Sequence, residues 1–189
     1  MQGSCQNRDG MSRLAVWLSV LFLTAVAVPV SAQSGAATYR APDGSWSISY
    51  PASWEVSGSS QGRAAAFLAP AVQLGSARFR PSLVVSVSPV DQGVPEAGVV
   101  GVARAAFERS VQGAQLLGQE SLRTSDGGSL AVLYYYARPD RRLPGLYFVV
   151  GVALRHRLYT MVGTTSTGLP DYRQQAAQMR AVMATLRAR

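Results

Sequence analysis

The chain contains no lysine; all 18 of its basic residues are arginine. It has one cysteine, Cys5, and one histidine, His156. Each scarcity removes a class of chemistry. Without lysine there is no Schiff-base nucleophile, no attachment point for pyridoxal phosphate and no phosphate-loop lysine. One histidine and one cysteine cannot build a zinc finger or a multi-histidine metal centre. No metal and no cofactor are therefore expected. Charge is sparse too, at 15% of 189 residues against 48% hydrophobic. That balance excludes a disordered polyelectrolyte and fits a globular protein. Only 10 residues are acidic, leaving a net charge of +8.

A mostly apolar run without charge, LAVWLSVLFLTAVAV, extends from Leu14 to Val28. Arg8 and Arg13 precede it, and Val30-Ser31-Ala32 follows. A basic start, a short apolar run and small residues at a cleavage site make a secretory signal. The run is shorter than the roughly 20 residues that span a bilayer. Residues 1–32 are thus expected to be a cleaved signal peptide, with no transmembrane anchor after processing and a periplasmic or extracellular destination. Met11 opens a more compact signal and is an alternative start. Cys5 would leave with the signal, so residues 33–189 carry no disulfide or thiol chemistry. Residues 33–37 read as a loose tail and residues 38–189 as a single domain.

Along that domain the apolar pattern alternates between two periods. Trp46, Ile48 and Tyr50 alternate with serines, as in a half-buried strand. Trp54 and Val56 begin a second extended piece, Ala64 to Leu68 a weaker one, and Ala69 to Pro81 reads as a loop. Leu83, Val85 and Val87 again share one face. Glu96 to Gln112 has Val99, Val102, Ala103, Ala106 and Phe107 at helical spacing, weakened by Gly98 and Gly101. Gln115 to Arg123 reads as a strand, and Asp126-Gly127-Gly128 as a hairpin turn. Ser129 to Tyr136 and Leu146 to Arg155 are apolar on both faces, which predicts central strands. Leu158 to Thr165 returns, and Asp171 to Arg187 is an amphipathic helix. Short turns make the later strands antiparallel. The predicted fold is α+β, with one antiparallel sheet of about six to eight strands and two main helices.

The segment Tyr39 to Val56, with Pro42, Gly44, Pro51 and Trp54 in their order, resembles the opening of PsbP-like and DcrB-like domains. Phe79 to Val87 looks like the next strand of that family, and Leu158-Tyr159 and a closing helix also fit. The resemblance implies an α-β-α sandwich around a central antiparallel sheet. It also implies binding and assembly roles rather than catalysis. The metal-ligand histidines of photosystem members have no match, because His156 stands alone.

The candidate catalytic groups are weak. His156 sits between Arg155 and Arg157 at a turn, without a serine or carboxylate at recognisable spacing. Asp43 and Asp126 belong to turns, Glu96 and Asp171 to first helical turns. Tyr134-Tyr135-Tyr136 invites a stacking role, but in a strand the middle ring points away from the other two. No catalytic residue is assigned and an enzyme is not expected; the alternative is an envelope hydrolase whose site the sequence hides. The arginine excess fits either a compositional habit or an anionic partner. Strand and helix lengths bring Arg155, Arg157, Arg187 and Arg189 to one end, as a candidate anion-binding cluster of four cations without acids. The partner class this suggests is another envelope protein or an anionic surface, and not nucleic acid.

Overall fold

A computed structural model describes residues 35–58, 64–90, 95–138 and 144–189. The expected signal peptide, the first tail residues 33–34, and Arg141 and Arg142 lie outside this set. Within it the chain runs through β1 (Ala36–Arg40), β2 (Trp46–Pro51), β3 (Glu55–Gly58), β4 (Ala64–Leu68), β5 (Val72–Leu74), β6 (Ala77–Phe79) and β7 (Ser82–Pro89). Helix α1 (Glu96–Ser110) follows. Then come β8 (Gln115–Arg123), β9 (Ser129–Ala137), β10 (Leu146–Leu154) and β11 (Arg157–Ser166), with α2 (Tyr172–Ala184) and β12 (Arg187–Ala188) at the end.

Seven strands form the central sheet, in the order β3-β4-β7-β11-β10-β9-β8, and every pairing is antiparallel. The apolar pattern dictates this order. β9 and β10 are buried on both faces over most of their length and sit inside the sheet. β8 alternates exposed and half-buried residues along its whole length, as an edge strand should. On one face Phe107, Ala103 and Val99 of α1 cover Leu133, Tyr135, Val150 and Val152. On the other, Met179, Val182 and Met183 of α2, with Trp46 and Ile48 of β2, cover Leu83, Val85, Met161 and Val132. The result is the predicted α-β-α sandwich. Each fully buried large side chain in these layers stabilises by about 1.5–3 kcal/mol.

The fit of α2 depends on two glycines in adjacent strands. A Cβ on Gly163 of β11 would lie 2.7 Å from Met179 Sδ, and one on Gly151 of β10 would lie 2.9 Å from Met183 Sδ. The methionines occupy the space that those side chains would fill, so the helix lies directly on the sheet backbone.

Three expectations are corrected. Ala69 to Pro81 is not all loop: β5 and β6 form a small hairpin turning at Gly75, whose φ is +61°. These strands are too short and too polar to show a clear alternation. The end of the tail 33–37 already belongs to β1, since Ala36 and Ala37 pair with Pro51 and Tyr50. Backbone pairing with β2 orders them without help from their small side chains. The last helix stops at Ala184 instead of Arg187, because the Thr185 hydroxyl donates to Ser49 and Val182 carbonyls and accepts from Ser49 N–H. Arg187 and Ala188 then extend along the free edge of β2. Together β1, β2 and β12 make a second, three-stranded sheet beside α2, which the periodicity did not anticipate.

Candidate functional site

The hairpin between β10 and β11 turns at Arg155-His156-Arg157, with His156 exposed. The structure brings the C-terminal strand to this turn, through acids. Asp126 accepts from Arg155 at 3.3 Å through one oxygen and from the Ala188 N–H at 2.9 Å through the other. Burial works to raise the Asp126 pKa. Hydrogen bonds from Thr124, Ala188, Gly128 and Arg155 outweigh it and hold the carboxyl far below the usual range. Asp43 accepts from Arg157 at 3.2 Å and from the Ser45 N–H at 3.0 Å, while Ser45 O accepts from Arg189 N–H at 2.9 Å. Ser45 first, and Arg157 after it, hold Asp43 below its ordinary value.

Arg155, Arg157, Arg187 and Arg189 therefore do share one end of the molecule, but the expectation of four cations without acids is corrected. Arg155 and Arg157 are the cationic halves of ion pairs that join separate elements. Arg155 also donates to the Thr124 hydroxyl at 2.7 Å, passing over Gly128, where a Cβ would lie 1.5 Å from its guanidinium. The unpaired cations are different ones. In the register of the small sheet Arg40, Ser47 and Arg187 stand in one row. The neighbouring Trp46 is buried, so this row faces outward, and both arginines are exposed. Arg40 and Arg189 also line a shallow hollow of about 150 Å³ with Pro42, Gly44 and Ser47. No acid among the described residues pairs with Arg40, Arg187 or Arg189. Arg40 escaped the sequence reading because only the pairing of β1 with β2 places it there.

A second concavity lies between the edge of the central sheet and α2. It encloses about 550 Å³ and is lined by Tyr134 and Tyr136 of β9, Tyr147 of β10, and Tyr172, Arg173 and Arg180 of α2. Tyr135, the middle ring of the triplet, points to the opposite face and packs on Phe107, as alternation requires. At the groove wall Arg180 holds Glu120 with two bonds, 2.6 and 2.8 Å long, and the Tyr134 hydroxyl donates to the same carboxylate. Arg180 foremost, then Tyr134, hold Glu120 at about 2. Burial, with that carboxylate beside it, pushes Tyr134 up to about 12. The sequence marked these tyrosines chiefly as packing residues. It offered no sign that Tyr172 and Arg173, from a distant helix, would complete the wall.

No family model matches the chain, and no curated protein sequence matches it either. Its likeness is to solved structures. The Ran-binding protein Mog1p of Saccharomyces cerevisiae aligns with a TM-score of 0.56 at 7% identity, covering 82% of this chain and 96% of its own. Protein PA94 of Pseudomonas aeruginosa, of unknown function, aligns with 0.55 at 22% identity, covering 82% and 97%. The cyanobacterial PsbP of Synechocystis sp. PCC 6803 aligns with 0.55 at 14% identity, covering 82% and 94%. The chain thus has a PsbP-like fold, an α+β sandwich. Shared fold at these identities carries no activity with it.

Proposed function

We propose that the chain is an exported accessory protein of the bacterial cell envelope, which binds or assembles without catalysing and meets an anionic partner through its arginine end. The observation that carries this reading is the outward row Arg40–Ser47–Arg187, with the exposed Arg189 close by. Arginine presents a planar fork of donors suited to carboxylate and phosphate groups. Complementing the end of α2 would need at most one such charge. The acids at this end, Asp43 and Asp126, are engaged in ion pairs that tie elements together, and Glu120 is held by Arg180. They are thereby withdrawn from acid–base work. A structural neighbour named for binding another protein supports the view that this fold serves recognition.

The test is binding of the purified protein to phosphatidylglycerol vesicles and to polygalacturonate across a salt series. Basic residues near an anionic surface contribute about 1 kcal/mol each. Changing Arg40, Arg187 and Arg189 together to Gln should weaken salt-sensitive binding on the order of 100-fold. Binding that is unchanged, or that does not fall with salt, overturns the reading. Export is tested separately by the N-terminus of the protein recovered outside the cytoplasm, expected at Gln33. A membrane-retained product still carrying Leu14 to Val28 refutes it.

A further inference from the structure

The arginine end is built around one point. Ser45 and Ser47 flank the buried Trp46 in the chain, so both turn to the outer face. Arg187 pairs with Ser47, and Arg189 donates its N–H to the Ser45 carbonyl at 2.9 Å. Arg187 and Arg189 therefore share that face, about 7 Å apart along the last strand. Arg40 stands across Ser47 from Arg187, about 10 Å away over two strand spacings. Three exposed cations thus frame the Ser47 hydroxyl. The two acids of this end are engaged elsewhere. Asp43 accepts from Arg157 and from the Ser45 N–H and hydroxyl, at 3.2, 3.0 and 2.6 Å. Asp126 accepts from Arg155 and from the Ala188 N–H.

A single anionic group above Ser47 lies within reach of all three arginine side chains. Each guanidinium offers a fork of donors and needs an acceptor oxygen. A carboxylate has two oxygens, and a phosphate diester has two that are not esterified. A sulfate ester has three but only one charge. A phosphate monoester has three acceptor oxygens and a charge of about −1.5 to −2, so it answers three cations both in oxygens and in charge. The hollow beside Ser47, between Arg40, Pro42, Gly44 and Arg189, encloses about 150 Å³. Sites that engulf a whole small molecule run to roughly 300–1,000 Å³. This one admits a headgroup and leaves whatever bears it outside.

We infer that Arg40, Arg187 and Arg189 seat one phosphate monoester headgroup of a membrane lipid over Ser47, an inference that rests on the anionic partner proposed for this end. A ligand held only by its terminal phosphate gains little from the rest of its structure. Display on a membrane compensates, because neighbouring anionic headgroups attract the remaining arginines of the same end at about 1 kcal/mol each. The Ser47 hydroxyl, at the centre of the three cations, donates a further bond to the seated phosphate.

The experiment measures binding to phosphatidylcholine vesicles that contain either phosphatidic acid, a monoester, or phosphatidylglycerol, a diester, in amounts adjusted to equal zeta potential. Phosphatidic acid should bind about tenfold more tightly, as one added charge-assisted hydrogen bond provides. Methyl phosphate should displace the protein from these vesicles, and dimethyl phosphate should not. Ser47→Asp puts a carboxylate in the seat and should erase the preference. Because Ser47 is half-buried, the exposed Arg40 supplies a second variant, and Arg40→Gln should also reduce the two affinities to one value. Equal affinity at matched potential, equal displacement by both phosphates, or a preference that survives in both variants would overturn the phosphate seat and leave the anionic partner standing. Binding to neither vesicle above phosphatidylcholine alone would overturn both.

Discussion

The two helices cover opposite faces of one sheet by different means. Helix α2 lies on glycine: Met179 and Met183 fill the space above Gly163 and Gly151, and Arg180–Glu120 and Gln175–Thr165 tie its flank to β8 and β11. Helix α1 rests on a narrower stripe of Val99, Ala103 and Phe107, with one long bond, 3.3 Å, from Tyr135 to Glu108. It carries Gly98 and Gly101 in its own body, and a Cβ on Gly101 would meet nothing within 4 Å. Glycine serves α2 as a seat and weakens α1 from within. The same residue type has opposite value according to whether it lies beneath a helix or inside one.

Five changes would break or sharpen this contrast. The largest effect is expected on the α2 face, where Trp46 is 1% exposed and packs with β2 into the main core. Trp46→Ala should cost about 3–5 kcal/mol. Phe148→Ala, beneath α1 at 6% exposure, should fall at the lower end of that range. Chemical denaturation of both variants checks the order; equal and negligible losses would mean that neither face is a core. Next is Gly163→Val. It would push Met179 off its seat and should cost about 1–3 kcal/mol by overpacking, read as a lower Tm.

Gly101→Ala should act in the opposite direction. The site is open and helical, and alanine gains about 0.8–1.0 kcal/mol there over glycine. A raised Tm supports the contrast, and a lowered one would show that α1 approaches a neighbour at that point. The smallest effect concerns the Glu120–Arg180 tie, whose side chains are 33% and 38% exposed. Glu120 is held at about 2 against an ordinary 4.5. A depressed carboxyl contributes stability that is complete above 4.5 and is lost as pH falls toward 2. Tyr134, raised to about 12 from 10.0, contributes stability that is complete below 10 and is lost as pH rises toward 12. Exposure keeps both contributions small. Glu120→Gln should flatten the acid limb of the stability profile, measured by urea melts from pH 2 to 5. An acid limb as steep as in the unchanged protein would show that the tie adds nothing.

Much of this arrangement is legible residue by residue. Alternation in Tyr134-Tyr135-Tyr136 already sends the middle ring to the α1 face, and it lies there beside Phe107. The doubly apolar runs that became β9 and β10 announce strands covered on both sides. The arginines show where such reading stops. Arg155 and Arg157 are two positions apart, yet their acids are Asp126 and Asp43, 29 and 114 residues away. No local pattern encodes those partners. Arg40 and Arg187 meet across Ser47 only because β1 and β12 flank the same strand.

Composition and periodicity alone decided the α+β class, the chemistry that a chain without lysine cannot perform, and the face on which each core residue lies. These properties depend on side-chain type and on repeats of 2.0 and 3.6 residues, which act over a few positions. Tertiary structure decided which cations remain unpaired, where α2 ends, and how a distant helix closes the tyrosine groove. Those outcomes rest on hydrogen bonds and close approaches between segments far apart in the chain. Their geometry exists only once the sheet order has brought the segments together.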